Sequence, residues 1–271
     1  MISVDTRGRM GNQMFQLAFA HAASRRLGTR FVLGPGDLWS SFTTGPWASR
    51  AVRLSRKLEF RLRYGADPAD KVDVPNEADP AQVLAELRDG VAYGGFFQSE
   101  RYFAGYEAEV RALFEIRAEH RRAFSAAYGE LGDYVCLHVR RGDYLEWSGG
   151  RALPPSYYRD ALAAVGDLER YEVVVISDDI AAVTEELGDL PRVRFEANAP
   201  MIDFQLLTNA SVVVASPSSF SWWGAWLNRH PASRILVPEH WFGFPEGREL
   251  PRDVVPDRWQ TIAVADAPLS R

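Results

Sequence analysis

The sequence predicts an open α/β fold built on parallel strands, and three observations predict it. Residues 171–176 and 211–215 are short, nearly unbroken apolar and β-branched runs, the pattern of strands covered on both faces. Segments with helical spacing separate such runs, at 155–165, 180–187 and 220–227. Polar clusters follow three of the runs: His138 to Asp143, Asp178 with Asp179, and Ser216 to Ser219. Ligands of an open α/β sheet bind outside the carboxyl ends of its strands, so three such clusters predict a single crevice.

Taken in order, residues 1–5 alternate Ile2 and Val4 as a short strand, 6–12 form a glycine-containing loop, and 13–27 read as a helix. Its spacing sets Met14, Leu17, Ala20, His21, Ser24 and Leu27 near one stripe. This strand, loop and helix order resembles the first unit of a nucleotide-binding fold, with G-x-x-G in place of the dinucleotide fingerprint. Asn12 has two readings, a cap of that helix or an amide projecting above the strand ends. His21 reads as a packed or surface histidine, because no cysteine or carboxylate stands at metal-site spacing. Residues 29–33 give the next strand, Gly34-Pro35-Gly36 a turn, and 50–63 a helix with five arginines, one lysine, Val52, Leu54, Leu58 and Leu62. Its basic side reads as a solvated face, with a charged partner or a membrane surface as the alternative. A short helix at 83–87 and a strand at 91–93 lead into Gly94 to Ser99, and 102–124 reads as a helix interrupted near Gly105. Ser125, Gly129 and Gly132 loosen the pattern, so a change of module is expected there, giving domains 1–128 and 129–271. The second half is regular: strand 134–140, helix 155–165 opening on a proline, strand 171–176, helix 180–187, strand 193–195, helix 203–209, strand 211–215, helix 220–227 and strand 234–237.

Composition narrows the function. With 271 residues, 46% hydrophobic, the chain can bury a sizeable core as one large domain or two small ones. A net charge of -5 gives no nucleic-acid footprint, and no nucleic-acid partner is expected. The single Cys136, inside an apolar run, excludes an intrachain disulfide and a cysteine-rich metal site. No signal-peptide pattern follows Met1 and no run of 18 apolar residues occurs. A cytoplasmic location is therefore the expectation, with the inner face of the membrane as the alternative. Five of the eight tryptophans follow residue 220, where core packing and sugar or base stacking are both open.

The chemistry concentrates in His138-Val139-Arg140-Arg141-Gly142-Asp143-Tyr144. Side chains two apart on a strand share a face, so His138 and Arg140 point together while Arg141, Gly142 and Asp143 turn out of the strand end. Two guanidiniums suit a polyanion, Gly142 lets the backbone pass close to a ligand, and Asp143 either clamps an arginine or meets a ligand hydroxyl. A surface turn whose arginines pair with carboxylates is the plainer reading. Ser218-Ser219-Phe220 opens a helix and offers hydroxyls and free N–H groups to an anion, a role compatible with ordinary capping. Near arginines, such a turn fits a diphosphate. Asp178 or Asp179 can accept hydrogen bonds from ribose or from guanine N1–H and N2–H, while the other caps the next helix. No Walker lysine motif, kinase set, G-x-S-x-G elbow or H-E-x-x-H pair occurs.

Five segments together resemble the α-1,2-fucosyltransferase family: Gly8-Arg9-Met10-Gly11-Asn12-Gln13-Met14-Phe15-Gln16, Gly95-Phe96-Phe97-Gln98-Ser99, His138 to Tyr144, Ser177-Asp178-Asp179, and Ser218-Ser219-Phe220-Ser221-Trp222-Trp223-Gly224-Ala225-Trp226-Leu227-Asn228. They span nearly the whole chain, and the arginine and serine/tryptophan motifs are the most specific. The resemblance implies an inverting, metal-independent enzyme of GT-B type, with two Rossmann-like domains facing a cleft. Residues 1–128 would form the acceptor side and 129–271 the GDP-sugar side, with the final segment packing back on the first domain. The implied donor is GDP-β-L-fucose, with no cofactor, and the implied product is an α-1,2 linkage to a galactoside. Donor phosphate binding falls to Arg140, Ser218 and Ser219, nucleotide recognition to His138, Phe220 and Asp178 or Asp179, and a position near the reacting centre to Asn12. Asp143 is the base candidate, or else the ion-pair partner of Arg140. Another deoxyhexose, a non-galactose acceptor such as a secondary metabolite, and a non-catalytic nucleotide-sugar binder are the alternatives. A lipid-linked acceptor would bring peripheral membrane association. Two positions depart from the family: Pro217 stands where an asparagine is common, and Leu207-Thr208-Asn209-Ala210 where Met-Ser-x-Cys is usual. Residues 34–90 offer little that matches the family, which leaves the acceptor open.

Overall fold

Short β-branched strands and the helices that cross between them build two α/β units, seen in a computed structural model that describes residues 1–45, 49–65, 70–147 and 149–270. One unit comprises Met1–Ala118 with Pro251–Val254, the other Glu119–Leu250 with Val255–Arg271.

In the first unit, β1 (Ile2–Val4), β2 (Phe31–Leu33), β3 (Lys71–Val74) and β4 (Ala92–Gly95) form a parallel sheet in the order β2-β1-β4-β3. The β1–β2 crossover runs through α1 (Met10–Arg26), which is apolar on nearly all sides and buries Met14, Phe15, Leu17, Phe19 and Ala20. Phe19 stacks on Phe97 at 3.8 Å between ring centroids. α1 begins earlier than its spacing predicts: Arg9 occupies the N-cap without a side-chain bond, and Asn12 lies inside the first turn. The capping reading of Asn12 is therefore corrected. Three further helices follow, α2 (Leu38–Ser41), α3 (Arg50–Tyr64) and α4 (Pro80–Ala85), and then α5 (Glu107–Leu113). His21 pairs with Glu109 of α5 at 2.8 Å. The single helix expected over 102–124 is divided. Ser99 caps a 3-10 turn at Glu100–Phe103, Gly105 takes a left-handed φ of 85°, and Ile116 makes an isolated bridge to Phe42 before α6 (Ala118–Tyr128). Strand β3, an edge strand with exposed Lys71 and Asp73, was not expected from its sequence.

The second unit has β5 (Tyr134–Val139), β6 (Glu172–Ser177), β7 (Val193–Glu196), β8 (Val212–Val214), β9 (Arg234–Pro238) and β10 (Gln260–Ile262). All are parallel, in the order β10-β9-β8-β5-β6-β7. Counted from β5 and read from the far edge, that is the 3-2-1-4-5-6 order of a dinucleotide-binding sheet. The chain reverses its direction of travel between β5 and β8, and the loops leaving those strands flank the switch point. Val135, Leu137, Val139, Val173, Val175, Val212 and Val214 pack against Tyr157, Tyr158 and Leu162 of α7 (Pro155–Val165) and Val183 and Leu187 of α8 (Ile180–Leu187). Each such side chain stabilises the fold by about 1.5–3 kcal/mol relative to leaving it exposed. Strand alternation turns Cys136 and His138 the other way. α9 (Pro200–Asn209) and α10 (Ser219–Trp226) pack closely, for a Cβ on Gly224 would stand 2.5 Å from that of Leu207. Trp222, Trp223 and Trp226 are fully enclosed and pack ring against ring, which assigns these tryptophans to the core. Among the described residues no helix is long and apolar enough to cross a membrane.

Candidate functional site

Ser216 joins the two loops at the switch point of the second unit. Its hydroxyl donates to the carbonyl of His138 at the end of β5, accepts from the Arg140 N–H at 2.8 Å, and lies 3.1 Å from the Tyr158 hydroxyl of α7. Tyr144 adds a second tie by donating to the Pro217 carbonyl at 2.9 Å. Ser218 then caps α10 by accepting from the Phe220 N–H, and Ser221 donates to the carbonyls of Ser216 and Ser218. Ser219 is the first helical residue and half-buried. The free N–H groups of the first turn of α10 and the Ser218 and Ser219 hydroxyls thus begin beside the Arg140 loop.

Arg140 is held by two carboxylates, Asp143 and Asp178, the second at 2.8 Å, and its guanidinium lies 5.4 Å from the centre of the Tyr144 ring. Its side chain is 16% exposed, and the two carboxylates fix its direction. Asp178 also accepts from the Arg141 N–H at 2.9 Å. Gly142 is required there: its φ is 25°, and a Cβ would stand 2.4 Å from an Asp178 oxygen. Arg141 does not accompany Arg140. Its guanidinium reaches both oxygens of Glu186 at 2.6 Å and lies 3.9 Å from Asp179, which caps α8 through the Ala182 N–H. The expected pair of guanidiniums is therefore one arginine at the loop and one turned into protein.

His138 is buried on the opposite face from Leu137, and its ring stacks on Phe220 at 5.7 Å and 29°. Phe204 meets Phe220 edge to face at 5.4 Å. Burial, with the Arg140 charge adding to it, pushes the imidazole pKa down to about 3, so the ring is neutral near pH 7. Its Nδ1 has no hydrogen-bond partner. Sequence reasoning did not single out Asp203, one residue before Phe204 in the first turn of α9. Burial pushes its pKa up to about 6, against the lowering effect of an Asn198 hydrogen bond and with Glu196 adding to the rise. Its only sequence signal was a carboxylate at the start of a helix that also carries Phe204, Leu206 and Leu207.

In the first unit the loops after β1 and β4 are joined the same way. Asn12 Oδ1 accepts from Gln98 Nε2 at 2.7 Å. Gln16, fully buried, accepts from the Arg7 N–H and donates to the Gly95 carbonyl. Gly8, at φ 74°, leaves room for Asn12, whose Nδ2 would lie 2.3 Å from a Cβ there. Of the residues selected from sequence, Asn12 belongs to this unit, and His138, Arg140, Asp143, Asp178, Asp179, Ser218, Ser219 and Phe220 belong to the other. Among the described residues no three His, Cys, Asp or Glu side chains converge as a metal-ligand group.

The model of glycosyl transferase family 11 matches residues 91–242, which include the arginine loop, Asp178, Asp203 and the Ser218–Phe220 turn. The chain is 29% identical over 196 residues to alpha-1,2-colitosyltransferase of Escherichia coli, covering 67% of this chain and 66% of that protein. It is 26% identical over 250 residues to galactoside alpha-(1,2)-fucosyltransferase 1 of Pan troglodytes, covering 83% and 64%. The chain thus spans just under two thirds of the length of these two relatives. Fucosyltransferase NodZ from Bradyrhizobium matches with a TM-score of 0.51 at 17% identity, over 86% of this chain and 94% of that one. That likeness is one of fold, a GT-B-like architecture of two Rossmann-like domains. The family match covers more than half of the sequence, and the chain belongs to glycosyl transferase family 11.

Proposed function

We propose that this chain transfers L-fucose from GDP-β-L-fucose to the 2-hydroxyl of a galactoside, forming an α-1,2 linkage with inversion. The second unit takes the donor and the first serves the acceptor. The observation that carries this reading is Arg140, aimed by two carboxylates at the switch point of a dinucleotide-type sheet, beside the N–H groups that open α10. In the transfer, the acceptor oxygen bonds to the anomeric carbon as the bond from that carbon to the diphosphate oxygen breaks. GDP leaves with the electron pair, and the proton of the acceptor hydroxyl passes to solvent. Arg140 and the Ser218/Ser219 turn stabilise the charge that develops there, in the place of a metal clamp. No cofactor is needed.

His138 and Phe220 offer a ring platform to the base, and His138 Nδ1 is a buried polar atom that a base can satisfy. Asp203 is a further carboxylate able to accept guanine N1–H and N2–H. Asp178 and Asp179 hold the arginine loop and the start of α8, and either can also accept from a ribose hydroxyl through a remaining lone pair. Asn12, anchored by Gln98, supports the reacting geometry with its free amide N–H groups. The ion pair between Asp143 and Arg140 favours Asp143 as the residue that positions Arg140 over the base reading.

A second reading has a specific observation behind it, the likeness to a colitosyltransferase. Colitose is fucose without its 3-hydroxyl, and the two GDP-sugars differ by that one group. Incubation of EDTA-treated protein with each GDP-sugar and a panel of β-galactosides, followed by NMR of the product linkage, tests both. An α-1,2-fucosyl product formed without metal is the expected result. Transfer from GDP-colitose alone would replace the donor, and strict dependence on Mn²⁺ or Mg²⁺ would overturn the metal-free step.

A further inference from the structure

α3 presents its leucines to solvent. Leu54, Leu58 and Leu62, one turn apart, are 57%, 60% and 78% exposed, whereas Phe60 of the same helix is buried against Met1 and Val32. A globular surface helix ordinarily shows the reverse, with its apolar stripe against the core. Here the half-buried side carries Arg53, over the Trp39 ring at 4.2 Å, and Arg56, 5.9 Å from the centre of the Phe31 ring. Burial, then the charge of Arg30, lowers the pKa of Arg56, while Glu59 opposes the shift. At 100° per residue, Arg50, Lys57 and Arg61 border one side of the leucine row, and all three are exposed. The single acidic residue of the helix, Glu59, is paired with Arg30. The solvated face expected for this helix is thus an apolar ridge lined by cations.

We propose that this face of α3 docks on an anionic phospholipid bilayer, with the leucines entering the boundary of headgroups and acyl chains and Arg50, Lys57 and Arg61 meeting lipid phosphates. Charge complementarity selects that occupant: apolar side chains one turn apart with cations along their flank match an interface that is apolar below and negative above. The surface serves localisation and goes beyond the sugar-transfer reading, and its test does not use activity. Flotation of the full chain with vesicles of 3:1 phosphatidylcholine and phosphatidylglycerol, against phosphatidylcholine alone, measures the partition. Binding to the anionic vesicles, weakened by high salt, is expected. Lys57→Ala with Arg61→Ala lowers the partition about 25-fold, from about fivefold for each cation at low ionic strength. Leu58→Ser with Leu62→Ser lowers it by at least about tenfold. These side chains are exposed, so both variants retain the wild-type circular dichroism and melting curve. Failure of the folded wild type to float, or equal binding to neutral vesicles, overturns the proposal. So does a dimer in light scattering that the leucine variant dissolves, which would give the face to a second copy.

Discussion

Asp143→Asn separates two roles for one carboxylate. Asparagine keeps the shape and one acceptor oxygen but removes the charge that faces Arg140, while Asp178 still holds the guanidinium at 2.8 Å. The Asp143 side chain is 43% exposed, so solvent screens the pair and its loss costs about 0.2–1 kcal/mol. Carried entirely into transition-state stabilisation, that is a fall of at most about fivefold in kcat/KM. Loss of a general base would instead cost about 10²–10⁴-fold and remove the acidic limb of the kcat–pH profile. Steady-state kinetics with GDP-fucose and a β-galactoside, repeated across pH, gives both quantities. A drop beyond about a hundredfold, with the acidic limb gone and donor KM unchanged, would refute the positioning role. If the two carboxylates aim Arg140 jointly, Asp143→Asn combined with Asp178→Asn costs more than the sum of the single changes.

Other expectations follow from the same geometry. Arg140→Ala should lower kcat/KM for donor by about 10²–10³-fold, and near-normal turnover of the folded variant would remove Arg140 from the leaving-group site. Asn12→Ala should cut turnover while costing only about 0.5–1.5 kcal/mol in chemical denaturation, the value of its bond from Gln98; wild-type kcat would refute its role. His138 binds a proton in the unfolded chain near 6.5 but only near 3 when folded, so its contribution to stability is complete above 6.5 and declines as pH falls towards 3. His138→Gln should flatten the dependence of unfolding free energy on pH in that window, and an unchanged slope would contradict the buried neutral ring.

Much of the second unit was legible because its signals are local. Pro155 starts α7, an unbroken apolar run marks β6, and α8 spans the residues that its spacing predicts. Edge strands β3 and β10 escaped because they are short and partly exposed, so neither has the apolar run of a central strand. The start of α1 was misread because Asn12 is a good cap by type, whereas Gly8 turns the chain and Arg9 precedes the helix without a side-chain cap. At the site, residue types pointed to the arginine loop, and strand alternation set Arg140 apart from Arg141. Their partners, Asp178 and Glu186, stand 38 and 45 residues further along and were not legible. Asp203 carried no motif, and its altered acidity comes from burial in the folded unit.

The Tyr144 bond to the Pro217 carbonyl is made by the backbone of position 217, whose side chain is buried. Every residue type supplies that oxygen, so an exchange that fits the buried space keeps the tether between the two loops while the group beyond the backbone changes. Proline offers no N–H and no side-chain amide, and asparagine offers both. Under the proposed donor role, contacts to the nucleotide at this point change by single substitutions that fit the space, while Tyr144 and Ser216 stay as they are.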